Sequence, residues 1–205
     1  TNSLDYHSSN IWANGYFSLN LNNLNISFEG NYLRQYVSKS AIISYHYDYW
    51  NGRAIAKYSP NPSISFGAGL YIADYDTNSF FSPTAFVKES LNKDLSIDLS
   101  FEPTTKYCSV NDFFKENRYI NFAGRDNYYE EYKGNLSLTI RYIYLKLMET
   151  SVGINIKTIE NKFYFTDKIK KGNFDLVSVN DVDAFEVFSN YYFKLGDYGD
   201  LFGEL

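Results

Sequence analysis

The chain has 205 residues, a net charge of −5 and a pI near 5.1. Its basic residues are scattered, with Lys168, Lys170 and Lys171 the one cluster, which argues against a nucleic-acid partner. One cysteine, Cys108, excludes an internal disulfide framework, and no apolar run approaches the roughly 18 residues of a membrane helix.

Residues 1–14 read as polar and irregular. Tyr16–Leu21 and Leu24–Tyr36 then read as a hairpin around Asn22-Asn23, residues that tolerate the positive φ of a tight turn. Ser40–Trp50 and Arg53–Tyr58 flank Asn51-Gly52, a strong hairpin signal. Ser59-Pro-Asn-Pro62 interrupts the pattern, because proline cannot donate to a ladder. Ser63–Asp74 is a long strand followed by a polar loop to Ser79. Phe80–Ser90 and Leu95–Pro103 pair across residues 91–94, and Lys133–Leu147 pairs with Thr150–Glu160 across Met148-Glu149. Between them, residues 104–132 form one long loop, in which Val110–Lys115 can make a helical turn capped by Asn111. Lys162–Asp167 is short, Asp183–Leu195 is a full strand, and Leu201–Leu205 starts another.

The alternation within these strands is nearly strict. Leu24, Ile26 and Phe28 interleave with Asn25, Ser27 and Glu29. Leu95, Ile97, Leu99 and Phe101 interleave with Ser96, Asp98 and Ser100, and Leu136, Leu138 and Ile140 with Ser137, Thr139 and Arg141. Val152, Ile154 and Ile156 interleave with Gly153, Asn155 and Lys157. A period of two puts one set on each face of a sheet, so one face is apolar and the other wet. Lipid or a second apolar sheet could cover the apolar face.

Strand length and composition favour lipid. Globular strands run about 5–6 residues, whereas a tilted membrane strand needs about 9–11. The chain carries 21 Tyr and 17 Phe against 2 Trp, and aromatic rings are used heavily where membrane barrels meet the headgroups. Tyr45, Tyr47 and Tyr49 share a face, and Tyr142 with Tyr144, like Tyr191 with Phe193, ends an apolar stripe; all resemble a girdle. Minimal turns at 22–23, 91–94 and 148–149 against the long connection 104–132 match the unequal rims of such barrels. The expected fold is therefore an all-β, antiparallel transmembrane β-barrel of about ten strands here, one domain over 1–205 or part of a larger barrel. A soluble or surface-attached β-sandwich that binds glycan or protein is the alternative. The chain begins at Thr1 without a signal-like segment and ends at Leu205 rather than on an aromatic residue, so both ends read as internal to a longer polypeptide.

Catalytic patterns are sparse. His7 reads as solvated and His46, on a face with Ser44 and Asp48, as polar and lumen-facing. No serine sits in a Gly-x-Ser-x-Gly elbow, and no His/Cys/Asp group has metal spacing, so no enzyme activity, cofactor or resident metal is expected. Ser65-Phe-Gly-Ala-Gly69 and Gly196-Asp-Tyr-Gly199 lack the helix start of a phosphate cradle, and Gly67 and Gly69 read as sites of bending or close packing. Cys108 reads as a small residue near a strand end. Glu130-Glu131 and Asp181 with Asp183 read as a solvated rim or as a calcium site. The wet face offers Asn25 and Glu29, and its lumen-facing candidates are Asp98, Arg141, Asn155, Lys157, Glu186 and Asn190.

From residue 80 onward the order of features resembles a known family. The hairpin from Phe81-Ser-Pro-Thr-Ala-Phe86 to Leu95-Ser-Ile-Asp98 is followed by Asn117-Arg-Tyr-Ile120, Asp126-Asn127 and Lys133-Gly-Asn-Leu-Ser-Leu138. Phe163-Tyr-Phe-Thr-Asp167, Gly172-Asn-Phe-Asp-Leu176 and Leu195-Gly-Asp-Tyr-Gly199 complete the series. Together they resemble the C-terminal barrel of outer-membrane receptors and porin-like proteins of the TonB-dependent type from the Bacteroidota and Chlorobi group. The resemblance implies a bacterial outer-membrane location and a larger barrel of which these are later strands. It implies transport of a polar small-molecule solute, or a subunit role beside other envelope proteins, with membrane lipid as the constant partner.

Overall fold

The structure, a computed structural model, describes residues 7–40, 43–75, 78–117, 120–121, 129–145, 147–167, 174–194 and 199–204. One large antiparallel sheet runs β1 (His7–Leu21), β2 (Leu24–Ser40), β3 (Ile43–Asn61), β4 (Ile64–Tyr75), β5 (Asn78–Ser90) and β6 (Leu95–Phe101). It continues through β9 (Tyr129–Tyr144), β10 (Met148–Glu160), β13 (Val182–Lys194) and β14 (Asp200–Glu204). β7 (Thr104–Tyr107) pairs with β9. A small second sheet joins β11 (Lys162–Asp167), β12 (Phe174–Val179) and β8 (Ile120–Asn121), and α1 (Val110–Glu116) is the helix of the described residues. β1 and β14 are the two edges of the large sheet.

Register turns the alternation of single strands into rows that cross the sheet. One row reads Leu21, Leu24, Tyr58, Phe66, Val87, Leu99, Leu138, Ile154, Val187 over nine strands. Two residues along, the next reads Leu19, Ile26, Ala56, Ala68, Ala85, Phe101, Leu136, Ile156, Phe185. A one-residue slip in any strand would break both rows, so the pattern itself enforces the register. The face stays open to its surroundings: Leu99 is 43% exposed, Ile140 47% and Phe185 65%. The predicted outward set from Leu95 to Ile140 lies on this face, with Ser96, Asp98, Thr139 and Arg141 on the other. A β-sandwich would bury such a face against a second sheet. The small sheet instead packs on the opposite side, where Phe163, Phe165 and Leu176 meet Val37 and Phe113.

Aromatic residues mark both ends of the apolar face. Tyr58, Tyr142, Tyr144, Tyr191 and Phe193 lie towards the tight turns, and Tyr32, Tyr36 and Trp50 towards the long connections. Tyr58 and Trp50 are eight residues apart on β3, about 26 Å along the strand at an ordinary rise.

Several sequence expectations are corrected. Asn51-Gly52 makes no turn, and β3 runs through it without a break. Asn51 sits in the ladder between Asn31 and Ala73, and a Cβ on Gly52 would meet the carbonyl oxygen of Glu29 at 3.4 Å. The segment 1–14 is strand from His7 onward. Residues 104–132 are not one loop but hold β7, α1, β8 and the start of β9. The helix cap is Ser109, not Asn111: the Ser109 side chain accepts from the Asp112 amide while Asp112 accepts from the Ser109 amide. The third tight turn precedes Met148-Glu149, which are already in β10: Leu145 has φ 48° and the Leu147 amide donates to the Tyr144 carbonyl. The turns at Asn22, φ 52°, and at 91–94 stand as read, the latter held by the Asn92 carboxamide accepting from the amides of Asp94 and Leu95. Gly69 and Gly67 also stand as close-packing sites. A Cβ on Gly69 would reach the Ala54 carbonyl at 2.1 Å, and one on Gly67 the ring of Phe86 at 2.0 Å.

Candidate functional site on the inner face

The face opposite the apolar rows divides along the strands. Towards the tight turns it is polar, and Asp98, Arg141 and Asn190 lie there, while Asn155, Lys157 and Glu186 lie on the same face further along β10 and β13. Asn155 stands across the ladder from Glu186, and Lys157 reaches the Glu186 carboxylate at 2.5 Å, which also accepts from Asn155 at 3.4 Å. Arg141 pairs with Glu149 at 2.8 Å, and Asp98 faces Lys88 and Thr139 across its two ladders. Asn190 lies between Ser151 and Glu204. The structure brings Asn155, Lys157 and Glu186 into one cluster and leaves Asp98, Arg141 and Asn190 apart on neighbouring strands.

Towards the other rim the same face is aromatic and covered. Tyr49, Tyr71, Tyr75, Phe80 and Tyr129 are buried together there. After Phe101 the chain leaves β5 at the fully buried Pro103, and β7 folds across the inner face. Thr105 Oγ1 bonds the hydroxyls of both Tyr49 (2.7 Å) and Tyr71 (2.8 Å), and the Thr105 amide donates to Tyr71. Glu102 reaches Arg53 of β3 at 3.4 Å, Tyr107 donates to Gln35, and Tyr75 donates to Glu131 at 2.5 Å. Next to this, Phe113 of α1 packs on Val37 and Cys108. Burial pushes the Cys108 thiol up to about 12, with Glu130 adding to the effect, and the Ser109 side chain holds the Asp112 carboxyl below its usual range.

Three sequence readings of this region change. Tyr47 and Tyr49 are not girdle residues: Tyr47 packs at the inner cluster under α1 and Tyr49 is buried under β7. His46 points the other way, exposed on the apolar side beside the Arg34–Asp48 ion pair, because strand parity places it with Asp48. Glu130 is no solvated rim residue; it is buried and paired with Lys162 at 3.3 Å. Among the described residues no three His, Cys, Asp or Glu side chains converge as a metal site would need. Cys108 stands as read, a small buried residue just beyond β7. The side chains of His7 and Tyr45, the lysines at 168, 170 and 171, and residues 126–127, 172–173 and 195–198 lie outside the described residues.

Sequence reasoning missed Trp12, Asn14 and Tyr16, which β1 places on the inner face opposite Leu33, Asn31 and Glu29. The signal was the same alternation with inverted chemistry: Ile11, Ala13 and Gly15 face outward, and the large rings face inward.

No protein-family model and no curated protein matches the sequence. Solved structures do match in fold. The siderophore receptor PirA of Pseudomonas aeruginosa superposes with a TM-score of 0.69 at 12% identity, over 98% of this chain and 41% of its own. The FrpB iron transporter of Neisseria meningitidis gives 0.65 at 11% identity, over 93% and 34%. The copper transporter OprC gives 0.60 at 10% identity, over 94% and 35%. The fold is that of an outer-membrane β-barrel wall. The chain spans about two fifths of the length of PirA and about a third of the others.

Proposed function

We propose that the chain is a wall segment of a larger bacterial outer-membrane barrel of the TonB-dependent receptor type, which takes up a polar solute along the inner face. The observation that carries this reading is the pairing of two continuous apolar rows, exposed over nine strands, with a polar and partly capped opposite face. Only a lipid-facing sheet with a hydrated inner side needs both. The likeness to receptors and transporters of siderophore, iron and copper supports uptake rather than catalysis. The inner side mixes Asp98, Glu186, Lys157 and Arg141 with amides, so it offers hydrogen bonds without a dominant charge. The rim that carries β7, α1 and the small sheet faces the outside of the cell, and the tight turns face the periplasm.

Two experiments test this on the complete protein. It should require detergent for extraction and migrate differently on gels with and without heating; extraction in buffer alone would refute the barrel. Protease added to intact cells should cut near residues 104–128 and spare the turns at 91–94 and 145–147; the opposite pattern would reverse the orientation.

A further inference from the structure

Two adjoining cavities open on the inner face of β1–β4 beneath β7 and α1. One of 160 Å³ is lined by Glu29, Asn31, Asn51, Arg53, Tyr71 and Thr104. The other, of 360 Å³, shares Asn31 and adds Trp12, Tyr107, Asp112 and Lys115 among its walls. Across the floor runs a row of three amides, Asn14, Asn31 and Asn51, in register on adjacent strands. Asn31 donates to Asn51 at 2.9 Å, and Asn51 donates to the Tyr49 hydroxyl at 2.7 Å, which fixes the orientation of the carboxamides. A carboxamide has two donor hydrogens and two acceptor lone pairs, so each side chain keeps hydrogen-bonding capacity for a ligand.

Two aromatic rings flank that row on β1. Trp12 is 68% exposed and Tyr16 71%, although both lie on the polar side of the sheet. Four residues of strand separate them, about 13 Å. A strand added to the β1 edge would pair with its backbone and set its own side chains beside these rings on the same face. Rings of this kind present a flat apolar face and a polar edge to whatever lies on the wall.

The charges at the site are paired among themselves, with one carboxylate in excess. Arg53 is paired with Glu102 and stands across the ladder from Glu29, and Lys115 is paired with Asp112 at 3.5 Å. Three carboxylates against two cations leave no pull on an anion, and no metal-binding cluster is present among the described residues. The remaining chemistry is planar amides that meet vicinal hydroxyls two at a time and ring faces that take patches of C–H. That combination matches the faces of a pyranose chain.

We propose that this wall is a subsite for a neutral oligosaccharide. The inference rests on the uptake reading and names the class of its solute. A peptide would present its backbone amides to the same asparagines, but it lacks the flat C–H faces that two rings spaced along one strand would cover.

The test uses the complete protein in a sugar-free detergent and isothermal titration. The probes are neutral hexasaccharides of differing linkage (maltohexaose, cellohexaose, laminarihexaose, mannohexaose), a blocked neutral hexapeptide and ferric citrate. At least one hexasaccharide should bind saturably. Trp12→Ala and Tyr16→Ala should each lower its affinity at least tenfold, while Trp50→Phe on the outer face should not change it. Absence of binding by all four sugars at millimolar concentration overturns the proposal. So does sugar binding indifferent to both β1 variants, or Trp12-dependent binding of the peptide or ferric citrate instead. Heat-modifiable migration, measured on every variant, reports the barrel separately, so loss of sugar binding with that property retained defeats the subsite and not the barrel.

Discussion

The two ends of the sheet solve different problems with the same strands. Towards the tight turns, each strand alternates cleanly, the outer side is apolar and the inner side carries paired charges open to water, as at Arg141–Glu149, a pattern that continues along β10 to Lys157–Glu186. Towards the other rim, the inner side of β3, β4 and β9 turns aromatic and is buried under β7. The first end resembles a sheet between lipid and water; the second resembles the core of a small globular protein built on a sheet's inner surface. Stability at the turn end therefore depends on which solvent each face meets, and at the cap end on packing and buried hydrogen bonds.

Substitutions at the two ends should separate these causes. Leu138→Arg places a charge in the middle of the apolar rows and should cost about 2–4 kcal/mol if that position lies at the bilayer midplane. Unfolding in phospholipid vesicles measures it; a cost near zero would mean that the face does not meet lipid. Tyr49→Phe removes a buried hydroxyl bonded to Thr105 and Asn51, and should cost about 1–3 kcal/mol. It should also raise protease sensitivity at residues 104–107 while leaving the turn at 91–94 unaffected. Lys157→Gln breaks an ion pair in contact with water and should cost less than about 1 kcal/mol, with the loss smaller still in high salt. A cost matching that of Tyr49→Phe would show that the inner side is dry beyond the cap too.

Legibility from sequence followed the same division. The turn end could be read because every strand there carries one uncontested period. At the cap end a second layer competes for the inner face, and aromatic residues stop distinguishing lipid from core. That is why Tyr47 and Tyr49 looked like a girdle, whereas Tyr142, Tyr144 and Tyr191 do lie at the turn end of the apolar face. Asn51-Gly52 misled for a local reason, since turn propensity yields to a ladder that needs an amide and a missing side chain there. β12 carries only the short run Phe174–Val179, too brief to show a period, and pairs through contacts no single strand reveals. The six inner-face residues were legible because alternation fixes a face; the cluster Asn155–Lys157–Glu186 was not, since it needs the β10–β13 register.

A further expected effect is chemical. Because burial raises the Cys108 thiol to about 12, a maleimide at pH 7.5 should label the native protein slowly and the unfolded protein readily. A group whose folded value is raised contributes stability below its unfolded value and loses it as pH rises, so the cap should loosen between about pH 9 and 12. Rapid native labelling would mean that α1 and β7 do not cover this site.

The central claim is that one face of the sheet meets lipid and the other water. Single nitroxide labels at each position from Leu136 to Arg141, in the complete protein reconstituted in vesicles with Cys108→Ser, test it directly by relaxation with oxygen and with a water-soluble nickel chelate. Oxygen accessibility should peak at 136, 138 and 140 and nickel accessibility at 137, 139 and 141, out of phase with one another. In-phase profiles, or high nickel accessibility at 136, 138 and 140, would contradict the account.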